Sequence, residues 1–336
     1  MRLTRSILSF LGMAALAVGL GLSAPASAQQ GAPINPTARA VTEEQLLNAL
    51  RPGANAEIGG RVSIPDAKSS TLIRPAGRDW REFHQGTMHL VGAIAILGMI
   101  AVLAAFWFTR GKIMIAGGPS GQTILRFGAV DRFVHWTTAG CFIVLALTGL
   151  NITFGKALLI PVFGESAFAA AAQLGKYAHN YLAFPFMIGL VLMFLIWVKD
   201  NIPTALDVQW FLQGGGLIGK GHPKARRFNG GQKMVFWSVI LGGAALSLSG
   251  WYLLFPYTAG GVLNLQFWNV VHGVVSMVLI GAMLAHAYIG SVGMEGAFDA
   301  MGSGEVDLNW AREHHGLWVE EEMSKGTIPG RLQAAE

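Results

Sequence analysis

Cysteine is almost missing from this sequence: Cys141 stands alone among 336 residues. One thiol excludes an internal disulfide, an iron-sulfur cluster held by cysteines and covalent haem attachment through CxxCH. Cys141 lies in an apolar run and reads as a small apolar filler. Charge is the second scarcity. Only 13% of residues are charged against 52% hydrophobic, and the mean hydropathy is +0.46, a membrane composition and not a cytosolic one. The net charge of +5 is spread over loops, so it carries no nucleic-acid signal. The apolar runs also lack the paired Gly/Pro interruptions of a transporter.

Residues 1–28 open with Arg2 and Arg5, run apolar from Ile7 to Leu22 and end in Ala26, Ser27 and Ala28. That is the form of a secretory signal cut after Ala28, with an uncleaved anchor as the alternative. Residues 29–85 are polar and rich in Pro, Ala and Gly. They contain EEQLLNALRPG, a short helix closed by Pro52 and Gly53. With the signal cut, this segment lies outside the cytoplasm as a solvated linker or a docking arm.

Five runs long enough to span a bilayer follow: His89 to Thr109, Phe133 to Phe154, Ala178 to Val198, Met234 to Pro256 and Trp268 to Gly290. The loops 110–132 and 199–233 carry four and six Lys or Arg, the loops 155–177 and 257–267 two and none. Ten against two puts the first pair of loops in the cytoplasm. The stretch 155–177, interrupted by Pro161, Gly164 and Glu165, is expected to lie along the outer surface. The fold expected is an all-α membrane protein, a bundle of five transmembrane helices. Residues 86–110 form an additional helix, 126–292 a four-helix core and 293–336 a cytoplasmic tail.

The histidines organise that core. His272 and His286 are fourteen residues apart in the last run; on an α-helix this is a rise of about 21 Å with the side chains ~40° apart. One helix so presents an imidazole near each membrane surface, on one face. The topology then sorts four histidines by depth, His179 with His272 at the outer level and His135 with His286 at the inner. Neutral imidazoles from facing helices can take both axial positions of a haem iron, which suits electron transfer. Histidines packed against polar neighbours are the competing reading for any single one. His84 and His89 read as interfacial, and His314 and His315, beside charged residues, as solvated.

The second and fourth runs align as RFVHWTTAGCFIVLALTGLNITF over KMVFWSVILGGAALSLSGWYLLF, with Trp136 over Trp237, Gly149 over Gly250 and His135 over Phe236. In the third and fifth runs His179 falls over His272, while His286 falls over Met193. A duplicated two-helix hairpin would give this pattern. Gly149, Gly189, Gly250 and Gly273 could admit a porphyrin close to the backbone or serve helix packing.

Six stretches, in order, resemble the membrane dihaem cytochrome b (gamma) subunit of respiratory formate dehydrogenase: DRFVHW (131–136), DNIPTALDVQWFL (200–212), FNGGQKMVFWS (228–238), VVHG (271–274), LAHAYIG (284–290) and WAREHHGLW (310–318). The resemblance covers about 126–319, more than half of the chain. It implies two haem b, with His179 and His272 as iron ligands of the outer one and His135 and His286 of the inner one. It also implies a quinone site beside the inner haem formed by Asn229, Gly231, Gln232 and His286. Amide groups can hydrogen-bond a quinone carbonyl, although Asn229 and Gly230 would equally open the fourth run as a cap.

The expected function is electron transfer from periplasmic formate oxidation to membrane quinone, in the inner membrane during anaerobic respiration. The partners implied are an iron-sulfur beta subunit and a molybdenum or tungsten catalytic alpha subunit, with lipid around the helices and no nucleic acid. The chain itself shows no group that oxidises formate. The alternatives are the same cytochrome serving a hydrogenase or a sulfur-compound reductase, and a haem-free anchor or transporter.

Overall fold

The computed structural model describes residues 75–216 and 223–327. The expected signal and most of the polar segment lie outside the described residues. Helix α1 (Pro75–Glu82) leads through one π-turn (Phe83–Thr87) into α2 (Met88–Arg110), which ends where Gly111 takes φ 69°. The other long helices are α3 (Ala129–Trp197), α5 (Gly230–Leu254) and α6 (Val262–Tyr288). The short α4 (Ala205–Leu212) precedes α5, and α7 (Leu308–Ser324) closes the described chain. Four helices among the described residues are long and apolar enough to cross a membrane. The chain is thus a helical bundle of integral membrane type.

Helix α3 runs for 69 residues and has one non-helical position, Gly164 at φ 78°. Both apolar runs expected at 133–154 and 178–198 fall on it. A straight helix would hold residues 148 and 179 about 46 Å apart. Instead Thr148 Oγ1 lies 2.8 Å from His179 Nδ1, and Trp197 Nε1 donates to Asp131 Oδ1 at 2.6 Å. The segment therefore doubles back at Gly164 into a helical hairpin. The stretch 155–177, expected as an interfacial segment too interrupted for a span, is helix on both sides of this bend. Glycine is needed there because a Cβ disfavours that φ. Pro161 ends no helix, since the chain turns only three residues later.

Small residues set the helix contacts. Gly189 packs against Thr138 across the hairpin, and Gly243 against Leu190 between α5 and α3. Helix α2 docks on α6: Gly92 faces Met277, Gly273 faces Met88, and a Cβ on Gly281 would come within 2.8 Å of the Ala95 carbonyl. Close backbone approach is how helices associate where lipid removes the hydrophobic drive. The outward faces stay apolar and bare, with Phe108 86% and Ile94 64% exposed.

The densest core lies at one end of the bundle. Strands β1 (Thr123–Leu125) and β2 (Glu305–Asp307) pair antiparallel, Ile124 opposite Val306. Ile113 N donates to Gly293 O at 2.9 Å beside them. Asp307 caps α7 by accepting from Asn309 N at 2.8 Å. Val306, Leu308, Trp310, Trp318 and Val319 then join Phe127, Trp197, Phe228 and Phe236 in one buried cluster. The expected cytoplasmic tail is, as far as Ser324, part of this cap.

Candidate functional site

The four histidines singled out by depth meet as two pairs. At the bend end, His179 of α3 faces His272 of α6 with ring centroids 6.2 Å apart and planes at 62°. At the cap end, His135 of α3 faces His286 of α6 at 6.2 Å and 63°. Two imidazoles bound to one metal through bonds of about 2.0–2.1 Å would have their centres ~6 Å apart. Both pairs have that separation, and both draw one ring from each of the same two helices.

Their surroundings differ. Thr148 Oγ1 donates to the Val144 carbonyl at 2.7 Å and also meets His179 Nδ1 at 2.8 Å. Ser249 Oγ donates to the Ala245 carbonyl at 2.7 Å and meets His272 Nδ1 at 2.9 Å. A hydroxyl has one proton. With that proton on the carbonyl four residues back, each oxygen can only accept from Nδ1–H, leaving Nε2 of both rings with a free lone pair. Glycines stand beside them: a Cβ at Gly250 would lie 3.3 Å from His272 Cε1, and at Gly149 3.6 Å from His179 Cε1. Gly189 and Gly273, by contrast, serve helix packing. At the cap end, His135 Nδ1 is buried with no hydrogen-bond partner among the described residues.

Residues 126–304 match the family model described as prokaryotic cytochrome b561. The chain belongs to that family. This cytochrome b561 member is 30% identical over 206 residues to the nitrate-inducible formate dehydrogenase cytochrome b556(Fdn) subunit of Escherichia coli K12, covering 60% of this chain and 92% of the relative. It is 29% identical over 204 residues to the formate dehydrogenase cytochrome b556(fdo) subunit of the same strain, covering 60% and 93%. The formate dehydrogenase cytochrome b556 subunit of Haemophilus influenzae is 27% identical over 209 residues, covering 60% and 84%. As a cytochrome b of this family, the chain is a membrane electron-transfer protein with haem b as its cofactor. Paired neutral imidazoles at metal-spanning distance fit that cofactor.

The motif residues expected at a quinone site have local work in this b561 cytochrome. Asn229 Oδ1 accepts from Gln232 N at 2.9 Å and Gln232 Oε1 accepts from Asn229 N at 3.1 Å, a capping box that starts α5. The box uses each carbonyl oxygen and leaves each amide NH2 as a donor. Gly231 is explained by packing, since a Cβ there would come 2.9 Å from the Trp210 ring. Lys233, next in the motif, is buried and donates to Asp207 at 2.8 Å and to the Ile202 carbonyl at 3.0 Å. Burial acts to raise the Asp207 carboxyl. Lys233 and Thr204 outweigh it and hold the group below the usual carboxylate range.

His315 was expected to be solvated and is fully buried. Its Nδ1 lies 2.8 Å from the Arg226 carbonyl and its Nε2 3.0 Å from Arg126 Nη2. Guanidinium can only donate, so Nε2 accepts and the proton sits on Nδ1. Burial, with Arg126 beside it, pushes His315 well below 6.5. His314, also expected to be solvated, has a side chain only 10% exposed, against Glu313 and Trp310. Arg126 is itself buried among Phe127, Trp310 and Trp318, and burial with Arg227 lowers it to about 9. His84 stacks on Trp80, and His89 Nε2 bonds the Thr153 carbonyl at 3.0 Å.

Thr148 and Ser249 are absent from the sequence expectations. The signal was present, for the alignment of the second and fourth runs puts Thr148 over Ser249 one residue before the aligned glycines.

Proposed function

We propose that this chain is the membrane cytochrome b subunit of a formate dehydrogenase, carrying electrons across the bilayer to quinone. The observation that supports it most is the pair of matched His–His spacings of 6.2 Å at opposite ends of α6, one to each arm of the α3 hairpin. His179 and His272 would hold one haem b, His135 and His286 a second, each through neutral imidazole nitrogen. Haem b supplies one-electron ferric/ferrous chemistry, and six-coordination by two histidines keeps it to electron transfer. Residues 86–110 add a helix to the four-helix core 126–292, for five crossings in total. The distribution of Lys and Arg puts the cap in the cytoplasm, the bend outside and residues 29–85 in the periplasm once the signal at 1–28 is removed. The membrane is then the bacterial inner membrane.

On this reading formate is oxidised outside by a catalytic molybdenum or tungsten subunit, with an iron-sulfur subunit between it and the bend end. Quinone takes up two electrons and two protons beside the cap end. The amide NH2 groups of Asn229 and Gln232 donate to a quinone carbonyl there, while the capping box fixes their direction. His286 closes the same site. Outward oxidation and inward proton uptake make the electron path electrogenic.

The test is a reduced-minus-oxidised spectrum of the purified chain with haem counted per polypeptide, then formate addition to the native complex. Two haems b per chain, both reduced by formate, are expected. Two haems that ignore formate would assign the cytochrome to a hydrogenase or another reductase.

A further inference from the structure

The capping of one histidine pair by hydroxyls and the bareness of the other carry a consequence for redox poise. The geometry points to Thr148 and Ser249 as positioning residues that set the bend-side haem at a lower potential than the cap-side haem. This rests on the proposed reading that the two histidine pairs hold haem.

Each hydroxyl does two things at once. By giving its proton to the backbone of its own helix, at Val144 and Ala245, it is fixed as an acceptor. By accepting from Nδ1–H of His179 or His272, at 2.8 and 2.9 Å, it fixes the tautomer that directs Nε2 at the iron. A partner on the far nitrogen also raises the basicity of an imidazole ligand. A more basic ligand stabilises ferric over ferrous iron and lowers the potential. Both axial ligands of the bend-side haem receive this treatment, from opposite helices and in equivalent positions of the internal repeat. At the cap end neither ring has a hydrogen-bonded partner among the described residues, and His135 Nδ1 is buried without one. That haem keeps the less basic ligands and the higher potential. Electrons then run downhill from the bend to the cap.

The experiment is an optical redox titration of the purified full chain, wild type against the double variant Thr148→Val and Ser249→Ala, with haem counted in both. Wild type is expected to titrate as two unequal b haems. In the double variant the lower midpoint rises and the upper stays. The expected shift changes the electron-sharing equilibrium between the haems at least tenfold, about 59 mV for one electron. Thr148→Ser, which keeps the hydroxyl, should retain the wild-type midpoint. Full haem with both midpoints unmoved overturns the proposal, as does a rise confined to the upper midpoint. Should the double variant shed a haem, the two single variants are titrated by the same criteria. Loss of haem from Thr148→Ser as well would make Thr148 a packing residue. A wild-type chain with fewer than two haems is a different result, and removes the reading of the histidine pairs.

Discussion

The two histidine pairs are the same device in different settings. Separation, interplanar angle and parent helices agree, yet the bend-side rings are each hydrogen-bonded to a hydroxyl and flanked by a glycine. The cap-side rings have neither: His135 Nδ1 is buried without a hydrogen-bond partner among the described residues. Spacing is what ligation demands, so it is preserved at both ends. Surroundings tune, so they diverge. The internal repeat makes the divergence legible: the hairpin of α3 and the α5–α6 pair present Thr148 and Ser249 alike, whereas Phe236 stands where α3 has His135. The alignment is kept at the bend end and broken at the cap end.

The contrast can be broken most forcefully at the ligands. His272→Ala should remove the bend-side haem and leave the other, and His135→Ala the reverse, so each variant holds one haem per chain by pyridine haemochrome assay. Retention of two in either would end the pairing. Next in size is the cap. Lys233→Met leaves the Asp207 carboxylate without its buried partner, a loss of about 3–5 kcal/mol. The cap end should become protease-sensitive at lower temperature while the bend-side spectrum persists. Gln232→Leu should slow quinone reduction roughly fivefold to tenfold, the worth of one hydrogen bond of about 1 kcal/mol. Haem content should hold, and unchanged turnover would return Gln232 to capping alone.

The smallest effect is on pH. His315 has its folded pKa depressed, so above pH 6.5 the ring is neutral whether folded or not. Below that value only the unfolded chain takes up the proton, and stability falls with pH until the folded pKa is reached. The protection factors of the α7 amides, taken against the intrinsic exchange rate at each pH, should fall between about pH 6.5 and 5. His315→Gln should flatten that response.

Much of this architecture was readable from the chain. Apolar length located α2 and α5 to within a few residues and missed the start of α6 by six, and helical periodicity put His272 and His286 on one face. The pairing with His135 and His179 followed from depth alone. What escaped had long-range causes. Arg312, Glu313 and His314 make the segment 310–318 look solvated, but Trp310, Ala311, His315 and Trp318 are buried on either side of a break at His315, against a core that includes residues some 190 positions earlier. The continuous helix through 155–177 escaped because Pro161 and Glu165 are poor span residues yet acceptable helix residues. Thr148 and Ser249 looked like ordinary helix-facing hydroxyls until the facing rings were in place.

The fold-back at Gly164 has a bearing on biogenesis. Because α3 is a hairpin, Thr148 can reach His179 once that one hairpin has been inserted. Both pairs, however, take their second ring from α6, the last long helix of the described chain. On the proposed ligation, a nascent chain would offer only half-sites, weak for cofactor, until α6 has been made. Cofactor loading would then wait for α6, and clamp the α3 hairpin to it.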